Sequence, residues 1–502
     1  MLRSKSRILN HFCSISRSYT TSLLPEGAKA FINGKWVPAL SGETFEVNNP
    51  YNNELLYATA NCDVSDAEKA VKAAKNASVH WSSSLTAKQR GEILRRWYNI
   101  YVSKEKELAE LLTREQGKPL LEAIGEIRYA ASFLDWYSGE CRRVYGQVVP
   151  PTDIDKTHLH IREPIGVVAV ITPWNFPSAM ITRKAGAALA IGCTLVIKPA
   201  EDTPLSALAL AQTAKEAGIP DGVFNVVPAD LKKTCKISKY ICNSTEVDAI
   251  SFTGSTAVGK LLLAQSASTV KRVCLELGGN APLIVFPSAN LQTAVESAVA
   301  SRFRGSGQTC ISANRLFVHS DVYNSFAELL KAKVEKLVVG DGMKPGVTQG
   351  PLINERAVEK IENLVRDAIE KGAILCCGGK RVKGSTFYEP TILTNVKMNM
   401  DIAHTEIFGP VATLIKFDAE EEVVNMANDT RTGLAGYIFS QNISQISRVS
   451  RRLQVGMVGV NAGLISCAEA AFGGVKESGL GREGCSQGID EFSQWKYICI
   501  AH

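Results

Sequence analysis

The segment FRGSGQTCISANR, residues 303–315, holds a cysteine in a stretch interrupted by two glycines. Glycine permits tight turns, and a turn can leave Cys310 exposed where a regular helix would bury it. A thiolate attacks carbonyl carbon readily, so Cys310 is a candidate nucleophile. The alternative is a small apolar side chain that only fills space, as is common for a cysteine in a chain that has thirteen of them.

Three further segments place polar groups at predicted turns or strand ends. TPWNFP holds Asn175 between two prolines, a stiff position for an amide that donates to an oxyanion. IKPAED carries Lys198 and Glu201, which can share ribose hydroxyls, and LELGG ends an apolar strand with Glu276. Desolvation raises the pKa of such a carboxyl toward that of a general base. Considered alone, Asn175 also fits an ordinary turn residue, and Lys198 with Glu201 also fits a solvated charge pair on the surface.

FTGST places Ser255 where a predicted strand ends and a helix begins, and the free N–H groups there suit a phosphate. A tight turn without a ligand is the alternative. Two other glycine patterns fail on context. GSTAVGKL has Leu261 where a phosphate loop needs a magnesium-binding Ser or Thr, and GLGREG, residues 479–484, has only eighteen residues after it.

Two arginines and a serine accompany these groups. Arg304 lies six residues before Cys310, and Arg183 lies eight residues after Asn175, two helical turns along. With the hydroxyl of Ser466, two guanidinium groups can hold a carboxylate at the far end of a short substrate. The alternative is that one or both arginines form structural salt bridges.

The elements that must position these groups alternate along the chain. Strands are predicted at residues 165–171, 194–198, 222–227, 248–252 and 273–277, with helical sequence between them, as in residues 177–192. This alternation predicts a parallel sheet covered on both faces, and a second alternating region runs from about 287 to 466. Near the N-terminus, a capping box of Ser65 with Glu68 predicts a helix start, and a helical region from Ala87 to Arg114 is expected to stop near Gly117.

Composition excludes several classes of protein. The chain has 502 residues, 45% of them hydrophobic and 21% charged, and a net charge of +6. It has no basic stripe interleaved with aromatic residues, so we expect no nucleic-acid partner. The cysteines form no C-x-x-C pair and have no histidine at ligand spacing, so we expect no metal site. Prolines interrupt the longest uncharged stretch, so we expect no membrane span.

The first residues differ from the rest. They contain Arg3, Lys5, Arg7 and Arg17, and no acidic residue occurs before Glu26. This composition is typical of a mitochondrial transit peptide, which we place at residues 1–24. A short disordered basic tail is the alternative.

At these residues the sequence resembles the aldehyde dehydrogenase superfamily. The segments TPWNFP, IKPAE, FTGST, LELGGNAP, GQTC, EIFGPV and FGGVKESGLGREG occur in the order and at the spacing of that family. The resemblance implies an α/β fold with a parallel-sheet dinucleotide-binding domain, an α/β catalytic domain and a small oligomerisation sheet. We expect an NAD-binding domain at residues 25–145 and 163–281, a catalytic domain at 282–470, and bridging segments at 146–162 and 485–502. It also implies a homodimer or homotetramer.

The resemblance implies a role for each matching residue. The implied catalytic residues are Cys310, Glu276 and Asn175. The implied NAD-binding residues are Trp174, Lys198, Glu201, Gly254, Ser255, Glu406 and Phe408. The carboxylate of Glu201 is expected to repel a 2′-phosphate, which favours NAD over NADP.

Arg183, Arg304 and Ser466 look like the substrate-binding positions of the succinate-semialdehyde branch of this superfamily. That resemblance implies oxidation of succinate semialdehyde to succinate in 4-aminobutyrate breakdown, in the mitochondrial matrix. One alternative substrate is glutarate semialdehyde, and another is a longer or uncharged aldehyde. A third alternative is that the protein is a catalytically inactive scaffold on the same fold. Ser312 stands where animal members often have a second cysteine, so their redox switch is not expected here. Cys467 replaces a more usual serine, and residues 226–233 lack a glycine that many members have.

Overall fold

The computed structural model describes residues 23–502. The predicted transit peptide therefore lies outside the described residues except for its last two positions. Those two residues, Leu23 and Leu24, are buried against the large apolar core that lies under one face of the first sheet. The folded part of the chain thus includes at least two residues that the sequence assigned to the leader.

The strands of residues 23–502 form two large sheets and three small ones. In chain order they are β1 (Ala30–Ile32), β2 (Lys35–Val37), β3 (Thr44–Asn48), β4 (Leu55–Ala60), β5 (Gln147–Val149), β6 (Lys156–Pro164), β7 (Val167–Ile171), β8 (Thr194–Lys198), β9 (Phe224–Val226), β10 (Ala249–Thr253), β11 (Arg272–Glu276), β12 (Pro282–Val285), β13 (Arg315–His319), β14 (Ile374–Cys377), β15 (Thr391–Thr394), β16 (Val411–Phe417), β17 (Thr432–Gly433), β18 (Ala435–Phe439), β19 (Met457–Val460), β20 (Val475–Lys476), β21 (Gly479–Leu480) and β22 (Ser493–Ala501).

Helices cover both faces of the two large sheets. They are α1 (Val64–Val79), α2 (Ala87–Ser103), α3 (Glu105–Gln116), α4 (Leu120–Glu140), α5 (Ala179–Ile191), α6 (Pro204–Glu216), α7 (Leu231–Asn243), α8 (Thr256–Ser266), α9 (Leu291–Phe303), α10 (Tyr323–Val334), α11 (Glu355–Glu370), α12 (Asp401–His404), α13 (Glu420–Asn428), α14 (Ile443–Arg452) and α15 (Gln487–Asp490).

The first sheet has the order β2-β1-β9-β8-β7-β10-β11-β21. Its five central strands, β9 to β11 in that order, run parallel, and antiparallel strands flank them on both sides. Every residue of β7, β8 and β10 is buried because separate apolar clusters cover the two faces. This is the doubly covered parallel sheet that the alternating pattern predicted.

The second sheet has the order β14-β15-β16-β13-β12-β18-β19 and begins in the chain at Pro282. Its strands from β15 to β19 run parallel, and β14 is an antiparallel edge. Two further apolar clusters pack on its faces. A third sheet, β22-β6-β5, pairs Ser493–Ala501 with Lys156–Pro164 and so joins two of the segments expected to bridge subunits.

The predicted α/β fold class is confirmed, and the strands fall within two residues of their predicted bounds. The predicted capping box is wrong. Helix α1 begins after Asp63, whose carboxylate accepts from the Ser65 and Asp66 N–H groups, and Asp66 closes the box. Asp63 rather than Ser65 is the N-cap, because aspartate is a strong N-cap and lies two residues earlier. No described helix is both long and apolar enough to cross a membrane.

Candidate active site

Cys310 lies between helix α9 and strand β13, in a turn that needs unusual backbone geometry. Gly305 and Ser306 both adopt left-handed φ angles, of 59° and 54°. Gly307 is also left-handed, and a Cβ there would lie 2.2 Å from the Gly409 carbonyl oxygen. The glycines therefore let this turn pack directly against the chain around Gly409. Cys310 itself is neither fully buried nor fully exposed.

Two cavities meet at this thiol. The first, of about 360 Å³, is here called the Trp174 cavity and is lined by Trp174, Gly254, Ser255, Glu406, Phe408 and Cys310, among others. The second, of about 350 Å³, is called the Arg304 cavity and is lined by Tyr129, Phe176, Arg183, Arg304, Ser466 and Cys310, among others. The nucleophile can therefore face one molecule on each side.

The Trp174 cavity has an aromatic wall and a helix start. The rings of Trp174 and Phe408 meet edge to face, with centroids 5.6 Å apart and planes at 89°. Ser255 caps α8 and accepts from the Val258 N–H, so the first N–H groups of α8 face this region. The buried hydroxyl of Thr253 has no hydrogen-bond partner among residues 23–502. An aromatic slot beside a helix N-terminus suits a nucleotide with a phosphate.

Glu406 is held at the edge of the same cavity. Its Oε1 accepts from the Gly279 N–H at 3.1 Å, and Lys360 donates to its backbone carbonyl at 2.6 Å. Burial raises the pKa of the carboxyl, while Gly279, Lys360 and Arg302 oppose that rise. A Cβ on Gly278 would lie 2.9 Å from Glu406 Oε2, so glycine there leaves the carboxylate its place.

Lys198 and Glu201 lie outside the Trp174 cavity. Lys198 ends strand β8, donates to the Pro199 carbonyl at 2.7 Å and lies 3.7 Å from Glu201. Burial lowers the pKa of Lys198 to about 8. Glu201 lines a separate groove of about 710 Å³, together with Asp202 and Asp230. This Glu201 groove is acidic, which was not apparent from the sequence because its carboxylates come from distant segments.

Asn175 is fixed at both its side chain and its backbone. Its Nδ2 donates to the Gln308 carbonyl at 2.9 Å, two residues before Cys310, and a second N–H remains. Lys118 donates to the Asn175 carbonyl at 2.8 Å and to Glu126 at 2.5 Å. Glu126 in turn accepts from the N–H groups of Ser178 and Ala179 at the start of α5.

Lys118 and Glu126 were missed by the sequence analysis. Their side chains are only 2% and 0% exposed, so the pair is an interior one. A buried cation and anion this close to Asn175 fix the loop that carries it. The GKP segment offered no signal beyond the end of a helix.

Glu276 ends strand β11 in the interior. Its Oε2 has no hydrogen-bond partner among the described residues, and burial, followed by the nearby Glu483, raises its pKa well above the ordinary value. It lies within electrostatic range of Cys310 but lines neither cavity. A carboxyl that is destabilised as an anion is suited to accept a proton.

Arg183 lines the Arg304 cavity, as predicted, but it also forms a buried ion pair. Glu483 contacts both Arg183 and Lys184, and the guanidinium lies 4.1 Å above the Phe472 ring. The salt-bridge alternative is therefore confirmed for Arg183. Its charge is largely balanced before any ligand arrives.

Arg304 differs from Arg183. Its guanidinium lies 5.4 Å from the centre of the Phe176 ring, and its buried Nε has no hydrogen-bond partner within residues 23–502. Ser466 lines the same cavity, whereas the neighbouring Cys467 is exposed and does not line it. Arg304 is thus a cation of this cavity whose hydrogen-bonding capacity is unfilled, whereas Arg183 is already ion-paired with Glu483.

Arg302 is a further buried cation that the sequence analysis missed. It donates to the Gly409 carbonyl at 2.6 Å, to Ser312 Oγ at 3.2 Å and to Asn314 Oδ1 at 3.3 Å. Burial lowers its pKa to about 9. It ties the Cys310 turn to the segment that carries Glu406, and Ser312 has a structural partner here.

The Cys310 thiol is destabilised as an anion by its surroundings. Burial raises its pKa to about 12, and the charges of Glu406 and Glu276 act in the same direction. Arg183 opposes them. The thiolate therefore depends on the Arg183 cation, which gives the Arg183–Glu483 pair a role beyond packing. Within residues 23–502, no three His, Cys, Asp or Glu side chains are grouped to hold a metal.

Cys310 thus lies between a cavity with an aromatic wall beside a helix N-terminus and a second cavity lined by the cations Lys118, Arg183 and Arg304. The model of the aldehyde dehydrogenase family matches residues 36–498. The chain belongs to the aldehyde dehydrogenase family, whose members use NAD or NADP.

Individual relatives are similar over nearly the whole chain. The mitochondrial succinate-semialdehyde dehydrogenase of Homo sapiens is 53% identical over 94% of this chain and 88% of its own length. The Escherichia coli succinate-semialdehyde dehydrogenase [NADP(+)] is 50% identical over 94% of this chain and 97% of its own. The crystal structure of succinate-semialdehyde dehydrogenase from Burkholderia pseudomallei is 52% identical, with a TM-score of 0.94, and the match covers 96% and 99% of the two chains.

Proposed function

We propose that this protein oxidises succinate semialdehyde to succinate with NAD as the hydride acceptor. One observation carries the choice of substrate: Arg304 has an unfilled buried donor in the cavity that reaches Cys310. A guanidinium fork matches a carboxylate, so the cavity fits an aldehyde with a carboxylate at its other end. Three similar proteins bear this activity in their names.

In the proposed reaction, Cys310 sulfur bonds to the aldehyde carbon, and Arg183 stabilises the thiolate that attacks. The second N–H of Asn175 and the Cys310 backbone N–H hold the resulting oxyanion. Bound NAD supplies the acceptor for the hydride that leaves this carbon. The product of that step is a thioester on Cys310.

Glu276 completes the reaction by taking a proton from water. Its raised pKa favours proton acceptance, and the water then attacks the thioester carbon. The carbon–sulfur bond breaks, succinate is released, and the Cys310 thiolate returns. Glu276 lines neither cavity, so the water must enter between Glu276 and Cys310.

For the cofactor, Trp174, Gly254, Ser255, Glu406 and Phe408 would hold the nicotinamide half in the Trp174 cavity. Lys198 and Glu201 would hold the adenosine ribose. Six acidic side chains line the Glu201 groove, Glu201, Asp202 and Asp230 among them, and this charge supports NAD over NADP. The E. coli relative is named for NADP(+), so the choice needs its own test. If Glu201→Gln leaves the NAD-to-NADP preference unchanged, this assignment is wrong.

We further propose a homo-oligomer in the mitochondrial matrix. The domain boundaries given above and the roles of the bridging segments belong to the same proposal. Strand β22 is the edge of its sheet and exposes Trp495, Tyr497 and Ile500, which supports an intersubunit contact there. The mitochondrial relatives support the location. Light scattering of the purified protein and import into isolated mitochondria test the two statements separately.

The most informative experiment measures NAD reduction across aldehydes that differ in chain length and in a terminal carboxylate. We expect succinate semialdehyde to give the highest kcat/KM, with glutarate semialdehyde next, because one methylene changes discrimination by only about 1–3 kcal/mol. A preference for uncharged aldehydes would overturn the assignment of succinate semialdehyde as the substrate. An absence of NAD reduction with every aldehyde would favour the inactive scaffold.

A further inference from the structure

Tyr129 is a hydroxyl-bearing residue of the Arg304 cavity to which the sequence gave no role. It lies on helix α4, and its ring packs edge to face on Phe133 at 4.9 Å. The hydroxyl is buried and has no well-aligned hydrogen-bond partner among residues 23–502. A buried hydroxyl in this state is costly, and such a group in a cavity indicates a missing ligand.

The groups beside this hydroxyl decide what the ligand would be. Arg183 and Ser466 lie next to it, since both hold its pKa below the value that burial alone would give. Burial nevertheless raises the pKa, so the phenol keeps its proton at neutral pH. A guanidinium can only donate, so Arg183 turns the Tyr129 oxygen into an acceptor and leaves its O–H free to donate. The free O–H can donate to an acceptor on a ligand, and the cations Arg183 and Arg304 favour an anionic acceptor.

Arg304 supplies the second unfilled donor of the cavity. The Tyr129 hydroxyl and Arg304 Nε are both buried without a well-aligned hydrogen-bond partner among residues 23–502, and both belong to side chains that line the same 350 Å³ space. Arg183, by contrast, is balanced by Glu483. Two unfilled donors with the hydroxyl of Ser466 match the lone pairs of one carboxylate group.

We propose that Tyr129 is a specificity-determining residue whose hydroxyl donates a hydrogen bond to the far carboxylate of the substrate. Arg183 acts on the carboxylate through this hydroxyl as well as by its own charge. This inference rests on the proposed function, because it deepens the choice of a carboxylated aldehyde. It predicts that the hydroxyl contributes to binding rather than to the chemical step.

The test compares Tyr129→Phe with Tyr137→Phe. Tyr137 lies two turns later on α4, and its hydroxyl is also buried without a partner, but it does not line the Arg304 cavity. Each variant is assayed with succinate semialdehyde and with butyraldehyde, which has the same chain length and no carboxylate. Phenylalanine keeps the ring contact with Phe133, and butyraldehyde turnover reports that the variant is folded.

We expect Tyr129→Phe to raise KM for succinate semialdehyde about 10-fold with kcat nearly unchanged, as for loss of a hydrogen bond to a charged group. Its kinetics with butyraldehyde, and all kinetics of Tyr137→Phe, should stay near those of the wild type. Inhibition by added succinate should weaken by the same factor in Tyr129→Phe only. Equal effects of Tyr129→Phe on both aldehydes, or none on either, would overturn the inference. A wild-type enzyme that does not prefer the carboxylated aldehyde would instead overturn the proposed function.

Discussion

Arg183 and Glu483 form an ion pair in the protein interior, with side chains only 1% and 6% exposed. The pair lies beside Cys310, Glu276 and the Tyr129 hydroxyl, so one buried cation affects a nucleophile, a base and the substrate cavity at once. Within residues 23–502, Arg304 lines the same cavity without a comparable ion pair, and its charge opposes the rise that burial causes in the pKa of the neighbouring Glu122. The two arginines that looked equivalent in the sequence therefore differ in kind.

We expect Arg304→Gln to lower kcat/KM for succinate semialdehyde by about 30-fold or more, because loss of one partner of a buried charge pair costs about 2–5 kcal/mol. Turnover of butyraldehyde should change little. Arg304→Lys keeps the charge but loses the guanidinium fork, so its kcat/KM for succinate semialdehyde should fall between those of the wild type and Arg304→Gln. Steady-state NAD reduction measures all three, and an equal loss on both aldehydes would contradict the clamp.

Glu483→Gln should destabilise the fold strongly. It leaves Arg183 and Lys184 as buried cations without their carboxylate, a change that costs about 3–5 kcal/mol in comparable pairs. Glu421→Gln is the matched control, since Glu421 pairs with Arg452 at the surface and should cost at most about 1 kcal/mol. Urea denaturation measures both, and similar midpoints for the two variants would contradict the interior role of Glu483.

Lys118→Met should lower kcat far more than it changes the affinity for NAD. Without the Lys118 ammonium, the Asn175 carbonyl loses a donor and Glu126 becomes an unpaired buried carboxylate. The double variant Lys118→Met with Glu126→Gln removes that unpaired charge and should recover stability but not kcat. Thermal unfolding and single-turnover NAD reduction check the two parts. Recovery of kcat in the double variant would show that Lys118 does not position Asn175.

Glu276→Gln should leave hydride transfer intact and stop release of the acid. We expect a burst of about one NADH per active site followed by a very slow steady state. In the wild type, the release rate should rise with pH as the carboxyl ionises, at a pH well above its ordinary pKa of 4.5, and this rise should be absent from Glu276→Gln. Stopped-flow absorbance across pH 5–9 measures it, and a multiple-turnover wild-type rate in the variant would remove Glu276 as the base.

The same carboxyl predicts a pH-dependent stability difference. Its folded pKa lies above its unfolded value, so its contribution to stability is present at low pH and is lost as the pH rises through the folded pKa. Glutamine does not ionise, so Glu276→Gln should gain stability relative to the wild type between pH 5 and pH 8. Urea midpoints at the two pH values give the difference, and its reversal would mean that the pKa is not raised.

Much of the fold could be predicted from local sequence patterns. Strand β8 spans the predicted Thr194–Lys198 because an apolar, β-branched run between turn residues has few other solutions. Cys310, Asn175, Trp174 and Phe408 were expected together, and the structure brings them to one place. Trp174 and Asn175 follow the carboxyl end of β7 in the first sheet, whereas Cys310 and Phe408 come just before β13 and β16 of the second, so both sheets contribute to the site.

The remainder depended on contacts between distant elements. Lys118 and Tyr129 flank or lie on α4, and their surroundings come from α5 and from the residues around Ser466. Nothing in the helical period of α4 specifies which of its polar groups will face the substrate cavity. The acidic Glu201 groove is likewise assembled from segments more than a hundred residues apart.

Cys310 lines two cavities at once, and this geometry sets a rule for covalent inhibitors. A compound anchored on that atom can extend in either of two directions. An arm that enters the Trp174 side occupies space that serves a dinucleotide common to the whole family, and it will discriminate poorly. A short arm that ends in an acid and extends toward Arg304 occupies the side that holds an unfilled cationic donor, and selectivity should be sought there.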